Sequence, residues 1–238
     1  MTVTSPNWPN LRAKAPRVQI QAADDTLGLS FYPIWMPEPQ STERRNITLA
    51  VTGASGAIFA RHMLQALESD ARVAVVNLVA SDSAMRVMAE ELAFAGRSNL
   101  VQQLLGAEPR KTQLQANADI GANIASGSYP VDAMIVLPCS MGTLARIATG
   151  LSMHLIERAA DVCLKEKKPL VLCVRETPLN KVHIRNMGLA ADAGATIYPL
   201  IPAFYNLPPS FDAMARNFAH RVLKHVGLSQ QDAYVWKG

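Results

Sequence analysis

The chain predicts an α/β protein built on an open parallel sheet with helices on both faces, and three observations carry that prediction. Short apolar, β-branched runs alternate with amphipathic stretches of helical period. The first run ends in a small-residue turn, Thr52-Gly-Ala-Ser-Gly56, with a helical segment directly behind it. Small hydroxyl residues recur just after several of the runs. With 238 residues and 49% hydrophobic content, the chain can bury one large core.

The first 45 residues stand apart. Pro6, Pro9, Pro16, Pro33, Pro37 and Pro39 interrupt any long helix, and no period appears. Arg12, Lys14 and Arg17 faintly resemble a transit sequence, but Asp24, Asp25 and the prolines oppose that reading. Residues 1–45 are therefore expected to form an irregular arm, packing through Trp8, Phe31, Tyr32 and Trp35. The α/β domain is expected over 46–238.

From Asn46 a strand leads into the glycine turn, and Ala57 to Leu67 reads as a helix. A second strand covers Arg72 to Val79. A helix through Met85, Met88 and Leu92 follows, then a short one from Ser98 to Leu105. Ala107 to Ala118 is polar and reads as loop. Ala133 to Leu137 is a buried strand, and Ser140 to Lys167 is helical with a break near Gly150. Pro169 to Val174 is a strand, Lys181 to Ala193 a helix, Ala195 to Leu200 a short strand and Ser210 to Val226 a final amphipathic helix. The order implies right-handed crossovers in a Rossmann-like, flavodoxin-like sheet, which binds ligands at the carboxyl ends of its strands.

Composition narrows the partners. The net charge is +4 and the pI about 9.1. The basic residues are dispersed, which argues against a nucleic-acid groove and suits small anions. No apolar run approaches the ~20 residues of a membrane span. Cys139, Cys163 and Cys173 have no metal-like spacing and read as buried thiols of a reducing, cytoplasmic compartment. Neither they nor the five histidines predict a metal site.

The segments that follow the strands carry the chemistry: Thr52-Gly-Ala-Ser-Gly56, Ala80-Ser-Asp82, Pro138-Cys-Ser-Met-Gly-Thr143 and Arg175-Glu-Thr-Pro178. Free backbone N–H groups at the first turn suit a phosphate or a polar ring edge. Serine and threonine bond a heteroaromatic edge without filling the space of a planar ring. Arg175 offers a fork for phosphate. Ser81 and Ser140 also fit simple helix caps, but capping leaves Arg175-Glu176 behind an apolar strand unexplained.

These residues also resemble a known family. Thr52-Gly-Ala-Ser-Gly-Ala57, Ala125-Ser-Gly-Ser128, Leu137-Pro-Cys-Ser140, Ile156-Glu-Arg-Ala-Ala-Asp161, Leu164-Lys-Glu166, Pro169 to Pro178, Pro202-Ala-Phe-Tyr205 and Trp236 are similar to motifs of flavin prenyltransferases, in order from about Asn46 to Trp236. The resemblance implies that 46–238 is a flavin-binding domain. It also implies transfer of a dimethylallyl group, without metal, from dimethylallyl monophosphate to N5 and C6 of reduced FMN. The prenylated FMN would serve a partner decarboxylase of ubiquinone synthesis or aromatic acid breakdown. Gly53, Ala54, Ser55, Ser81, Ser140, Met141, Gly142, Thr143 and Arg175 would hold FMN. Tyr205, Arg221, Trp236, Ser126, Gly127 and Ser128 would serve the prenyl substrate, and Glu176, Lys165, Arg158 and Glu91 the catalytic steps. A homo-oligomer, commonly a dodecamer with sites at subunit contacts, is implied as well.

Cations aimed at a departing phosphate stabilise the transition state more than the ground state. Arg158, Lys165 and Arg221 suit that task, and Trp236 suits a π wall for the allyl fragment. Glu176 and the departing phosphate both remain candidates for the flavin C6 proton. Taken singly, Lys165 fits an exposed charge run, Arg221 a solvated helix face, and Glu91 competes with its neighbour Glu90. Met141 and Met153 read as packing, and Cys139 as core. Two other functions are compatible with the fold: an FMN-dependent cysteine-type decarboxylase, and a non-catalytic FMN carrier. The first lacks its Pro-x-Met-Asn segment here.

Overall fold

The computed structural model describes residues 44–94 and 99–233. The arm expected before Asn46, except Arg44 and Arg45, and Trp236 lie outside the described residues. Six parallel strands form one sheet in the order β3-β2-β1-β4-β5-β6. They are β1 Arg45–Val51, β2 Val73–Ala80, β3 Thr112–Ala116, β4 Ala133–Cys139, β5 Leu170–Val174 and β6 Thr196–Ile197. The chain reverses direction across the sheet between β1 and β4, the crevice where doubly wound folds take their ligands.

Helices cover both faces. α1 (Ala57–Ser69), α2 (Asp82–Leu92), α3 (Leu100–Leu105) and α7 (Phe211–His225) cover one. α4 (Met141–Ala148), α5 (Leu155–Lys165) and α6 (Lys181–Asp192) cover the other. Ile47, Leu49 and Val51 point into the first core, while Ala50 points into the second, as period-two alternation demands. Phe59 of α1 meets Phe218 of α7 edge-on at 5.3 Å, and Phe218 meets Tyr198 at 5.6 Å. This aromatic file seats α7 along α1.

Two expectations need correction. The polar stretch 107–118 contains a strand, β3, in register with β2 from Val76↔Thr112 to Ala80↔Ala116. It is an edge strand whose Gln113 and Leu114 face solvent, so its side chains carry no apolar alternation. Its start is held by Glu68, whose carboxylate accepts from the Arg110 and Lys111 amides and the Thr112 hydroxyl. The last strand shortens to Thr196–Ile197, although Tyr198 N and Leu200 N still donate to β5 carbonyls. The remaining elements fall within a few residues of expectation. Gly150, at φ +71°, marks the break between α4 and α5.

The sheet's amino edge is tied to the chain's end. Asp70 accepts from Arg72 (2.6 and 2.9 Å) and from Gln230 (2.9 Å), and Arg72 also donates to Ser229 O. Arg45 donates to Val226 O at 2.7 Å. Burial pushes the Asp70 carboxyl pKa up, but the Arg72 and Gln230 hydrogen bonds and the Arg72 charge outweigh it and hold it at about 2. A depressed carboxylate contributes stability above its unfolded pKa, and loses it as pH falls through the folded one. Asp70→Asn is therefore expected to cost roughly 1–2 kcal/mol at neutral pH, the range for partly screened charge-assisted bonds. Urea titrations at several pH values should show the deficit shrinking between pH 4 and about 2.

Candidate active site

The carboxyl ends of the strands converge on one buried hydroxyl. Thr52, 1% exposed, follows β1. Its Oγ1 donates to Pro138 O (2.8 Å) and accepts from Ser140 N (2.8 Å), and its own N–H donates to Pro138 O (3.2 Å). Further backbone bonds extend the seam: Ser81 N to Val51 O, Arg175 N to Cys139 O and Leu200 N to Val174 O. Four strand-to-helix junctions are thereby locked to one another. Thr52 was not among the site residues expected. Its only signal in the sequence is a hydroxyl between an apolar strand and a glycine.

At the first turn Gly53 approaches α2 so closely that a Cβ there would collide with the Ser83 side chain. Gly56 has φ +121°. The amide groups expected to be free are not all free. Glu91 accepts from Gly56 N (3.0 Å) and Ala57 N (2.8 Å), a carboxylate placed on the positive end of α1. Glu90 instead pairs with Arg86 on the exposed face of α2. Glu91 is thus the member of the acidic pair that reaches the turn, and a ligand phosphate would have to compete with it there.

Ser81 and Ser140 cap their helices. Ser81 Oγ accepts from Ala84 N at 3.1 Å and bonds Ser83 Oγ at 3.0 Å. Ser140 Oγ accepts from Thr143 N at 3.3 Å and donates to Thr143 Oγ1 at 3.1 Å. Capping and an edge position coincide, because the caps stand where the strands end. Ser55, Gly142, Arg175 and Glu176 are exposed along the same edge, while Ala54, Met141 and Thr143 are buried beneath it. Glu176 Oε1 accepts from Thr177 N at 3.0 Å.

Tyr205 and Arg221 are both exposed, and both act electrostatically on the Tyr198 phenol beside the β5 and β6 ends. Burial raises the Tyr198 pKa, and the Arg221 charge opposes that rise. A loop residue and a helix residue are thus both within electrostatic reach of the Tyr198 phenol. Tyr198 too was not anticipated.

The other expected residues lie elsewhere. Lys165 ends α5 and pairs with Glu166. The Lys165 charge and hydrogen bond hold the Glu166 carboxyl below its usual range. Gly127 sits so close that a Cβ would strike both side chains. Ser126 and Ser128 bond each other at 2.8 Å in the same loop. Arg158 donates to Ala125 O (3.1 Å) and Asp161 (2.6 Å). Ser126, Gly127 and Ser128 precede β4 and Lys165 precedes β5, so these lie toward the sheet's amino edge, whereas Arg158 stands in the first turn of α5. Arg175 and Ser140 follow the same strands at the carboxyl edge. β4 spans seven residues, so about 20 Å separates the two edges. α5 bridges part of that length: it starts beside Asn117, which follows β3, and ends at Lys165. The expected polar residues therefore fall into two groups, one along the carboxyl edge and one toward the amino edge.

Other groups are less engaged. Cys139, Cys163 and Cys173 are buried, and burial pushes the Cys139 and Cys163 thiols up to about 12, unfit for nucleophilic work. Met141 is packed as expected, but Met153 is 61% exposed, because the α4–α5 loop carries it outward. Among the described residues no cluster of three or more His, Cys, Asp or Glu is placed to hold a metal. No described helix is long and apolar enough to cross a membrane.

A parallel sheet with hydroxyls and an arginine along its carboxyl edge has the form of a ligand-binding α/β protein, and its relatives make it a flavoprotein. Residues 36–203 match the family model described as Flavoprotein. The chain is 41% identical over 196 residues to the flavin prenyltransferase UbiX of Salmonella typhimurium, covering 82% of this chain and 99% of that one. It is 38% identical over 190 residues to that of Methanocaldococcus jannaschii, covering 80% and 97%. Among solved structures, AnUbiX (PadA1) in complex with FMN and dimethylallyl pyrophosphate superimposes with a TM-score of 0.74 at 39% identity, over 82% of this chain and 99% of that one. The cypemycin decarboxylase CypD, at 16% identity and TM-score 0.52 over 78% and 97% of the two chains, shares the fold. The chain belongs to the flavin prenyltransferase family.

Thr52→Val keeps the side-chain shape and removes the hydroxyl. It should leave Ser140 N unpaired, costing about 1–3 kcal/mol of folding stability, and should weaken FMN retention with it. Thr52→Ser should retain both. Denaturant titration and flavin fluorescence measure the two effects.

Proposed function

We propose that the chain transfers a dimethylallyl group from dimethylallyl monophosphate to N5 and C6 of reduced FMN, and so supplies prenylated FMN to a partner decarboxylase. The observation that carries this reading is the carboxyl edge itself, with Ser55, Ser81, Ser140, Thr143 and Arg175 gathered about the Thr52 seam and Tyr205 and Arg221 beside it. The edge fits a flavin. It has hydroxyl and amide groups for a polar ring edge and an exposed guanidinium for a phosphate. Reduced FMN, when bound, contributes an electron-rich ring as the nucleophile.

The protein's own groups then bind, position and move protons. Gly53, Ala54, Ser55, Ser81, Ser140, Met141, Gly142, Thr143 and Arg175 hold the acceptor at the edge. Tyr205 and Arg221 grip the prenyl phosphate there. Lys165, Ser126, Gly127 and Ser128, which precede β5 and β4, bring further charge and donors from a neighbouring copy, and Arg158 adds its guanidinium from the first turn of α5. Glu91 orders the first turn, and Glu176 stands at the β5 end as a proton acceptor. Developing charge on the leaving phosphate is met by fixed cations, which is where electrostatic preorganisation contributes most. Trp236 completes the reading as an aromatic wall.

A closed homo-oligomer, a dodecamer by analogy with the solved relative described as a dodecameric FMN-dependent UbiX-like decarboxylase from Escherichia coli O157:H7, suits the exposed apolar side chains. Leu179, Val182 and Ile184 lie near the start of α6, and Ile201, Phe204 and Leu207 in the loop before α7. The three unpaired, buried thiols support a cytoplasmic setting. The flavin domain begins with Arg45 of β1, one residue before the boundary expected from the sequence, and the residues before it act as an accessory arm.

Anaerobic incubation of the full chain with reduced FMN and dimethylallyl monophosphate should yield a flavin heavier by one C5 unit. Recovery of unchanged FMN would favour a carrier. Arg175→Ala should weaken FMN binding by roughly 1.5–3 kcal/mol, the range for a charge-assisted bond. Tyr205→Phe and Arg221→Ala should bind FMN nearly normally yet lose turnover on the order of 10²-fold. Equal effects on binding and turnover would remove those two from the prenyl site.

A further inference from the structure

Glu157 is 3% exposed, and a carboxylate taken that far from water must be compensated by well-aimed partners. Its Oε1 accepts from Arg146 Nε at 2.6 Å, in the last turn of α4. Its Oε2 accepts from His154 N at 3.0 Å, at the cap of α5, and the His154 ring Nδ1 stands 3.7 Å away. The two oxygens therefore join the end of α4 to the start of α5. The residue that follows is Arg158, anchored to Ala125 O and Asp161.

We propose that the Glu157–Arg146 pair is a positioning device for Arg158, setting the roll of α5 and through it the direction in which the Arg158 guanidinium is offered to the prenyl phosphate. The inference rests on the reading of Arg158 given above. The apolar face of α5 is made of Leu155, Ile156, Ala159, Ala160, Val162 and Cys163. Leu155, Ile156, Val162 and Cys163 pack at its two ends, with two alanines between them, and such apolar contacts are not directional. A carboxylate gripped from two directions resists it strongly, because its bonds are directional. Consecutive helix residues lie about 100° apart, and a roll of about 20° moves a side-chain head by about 2 Å. That displacement breaks the Arg158 bond to Ala125 O. α4 also begins at Ser140–Thr143 on the carboxyl edge, so the pair couples the helix of the flavin half-site to the helix of the cation half-site.

The test uses the assembled full chain and four variants: Glu157→Gln, Arg146→Met, Arg146→Lys and Arg158→Ala. Glu157→Gln keeps an acceptor for His154 N and removes the charge facing Arg146. Glu157→Gln and Arg146→Met should each raise the KM for dimethylallyl monophosphate by about tenfold, as an order of magnitude for a misdirected contact. FMN affinity, read by flavin fluorescence, should change less than about twofold. The double variant should be no worse than either single one, and Arg146→Lys should recover much of the loss. An unchanged KM in Glu157→Gln and Arg146→Met, alongside a raised KM in Arg158→Ala, would overturn the positioning role and leave Arg158 in place. An unchanged KM in Arg158→Ala would overturn the assignment of Arg158 itself. Losses that appear equally in FMN affinity and KM would make the pair merely structural and overturn the proposal.

Discussion

The Thr52 hydroxyl is the constraint on which the rest depends. It bonds a strand-end carbonyl and a helix-start amide at once, while itself only 1% exposed. Without the hydroxyl, Pro138 O would keep its bond from Thr52 N, but the part-buried Ser140 amide would lose its partner and carry a desolvation penalty. The hydroxyl therefore ties the end of β1 to the end of β4, and backbone bonds from Ser81 and Arg175 carry the seam to β2 and β5. Flavin recognition needs several weak donors held in one plane. A seam made of junctions, not of loose loops, supplies that rigidity.

Direction is the second constraint. Parallel strands put every strand-to-helix junction at one edge and every return at the other. Any residue that precedes a strand is thus excluded from the edge where the flavin reading places its ligand. Lys165, Ser126, Gly127 and Ser128 precede strands, and their mutual contacts keep them together. They lie together toward the edge opposite the one the flavin reading uses, with the Lys165 ammonium paired to Glu166. On the proposed reading, that separation is the reason the site would be shared between copies.

Much of this was legible in the sequence. Alternating β-branched and amphipathic runs identified β1, β2, β4 and β5 and the helices between them, because those strands are buried on both faces. β3 escaped because an edge strand is specified by backbone pairing and by Glu68, and neither leaves an apolar period. Ser55, Ser81, Ser140 and Arg175 were found from the residues that follow strands. Thr52 and Tyr198 were not, since a buried hydroxyl and a half-buried phenol look like ordinary packing until their partners are known. Glu91 was separated from Glu90 only by the helix face each occupies. The opposed edges were implicit in the element order, and became explicit once Gly127 was placed against Lys165.

The measurement that tests this account most directly is complementation between two defective chains. Arg175→Ala disables the carboxyl-edge half and Lys165→Ala the amino-edge half. Each alone should be nearly inactive in prenyl transfer. Mixed oligomers, formed by co-expression and purified through tags on both chains, should regain activity. Random pairing of half-sites gives two intact halves at roughly a quarter of the sites. Activity near that level is the predicted result. Mixed oligomers no more active than the separate variants would show that each chain builds its site alone, and would contradict the division of the site between the two edges of the sheet.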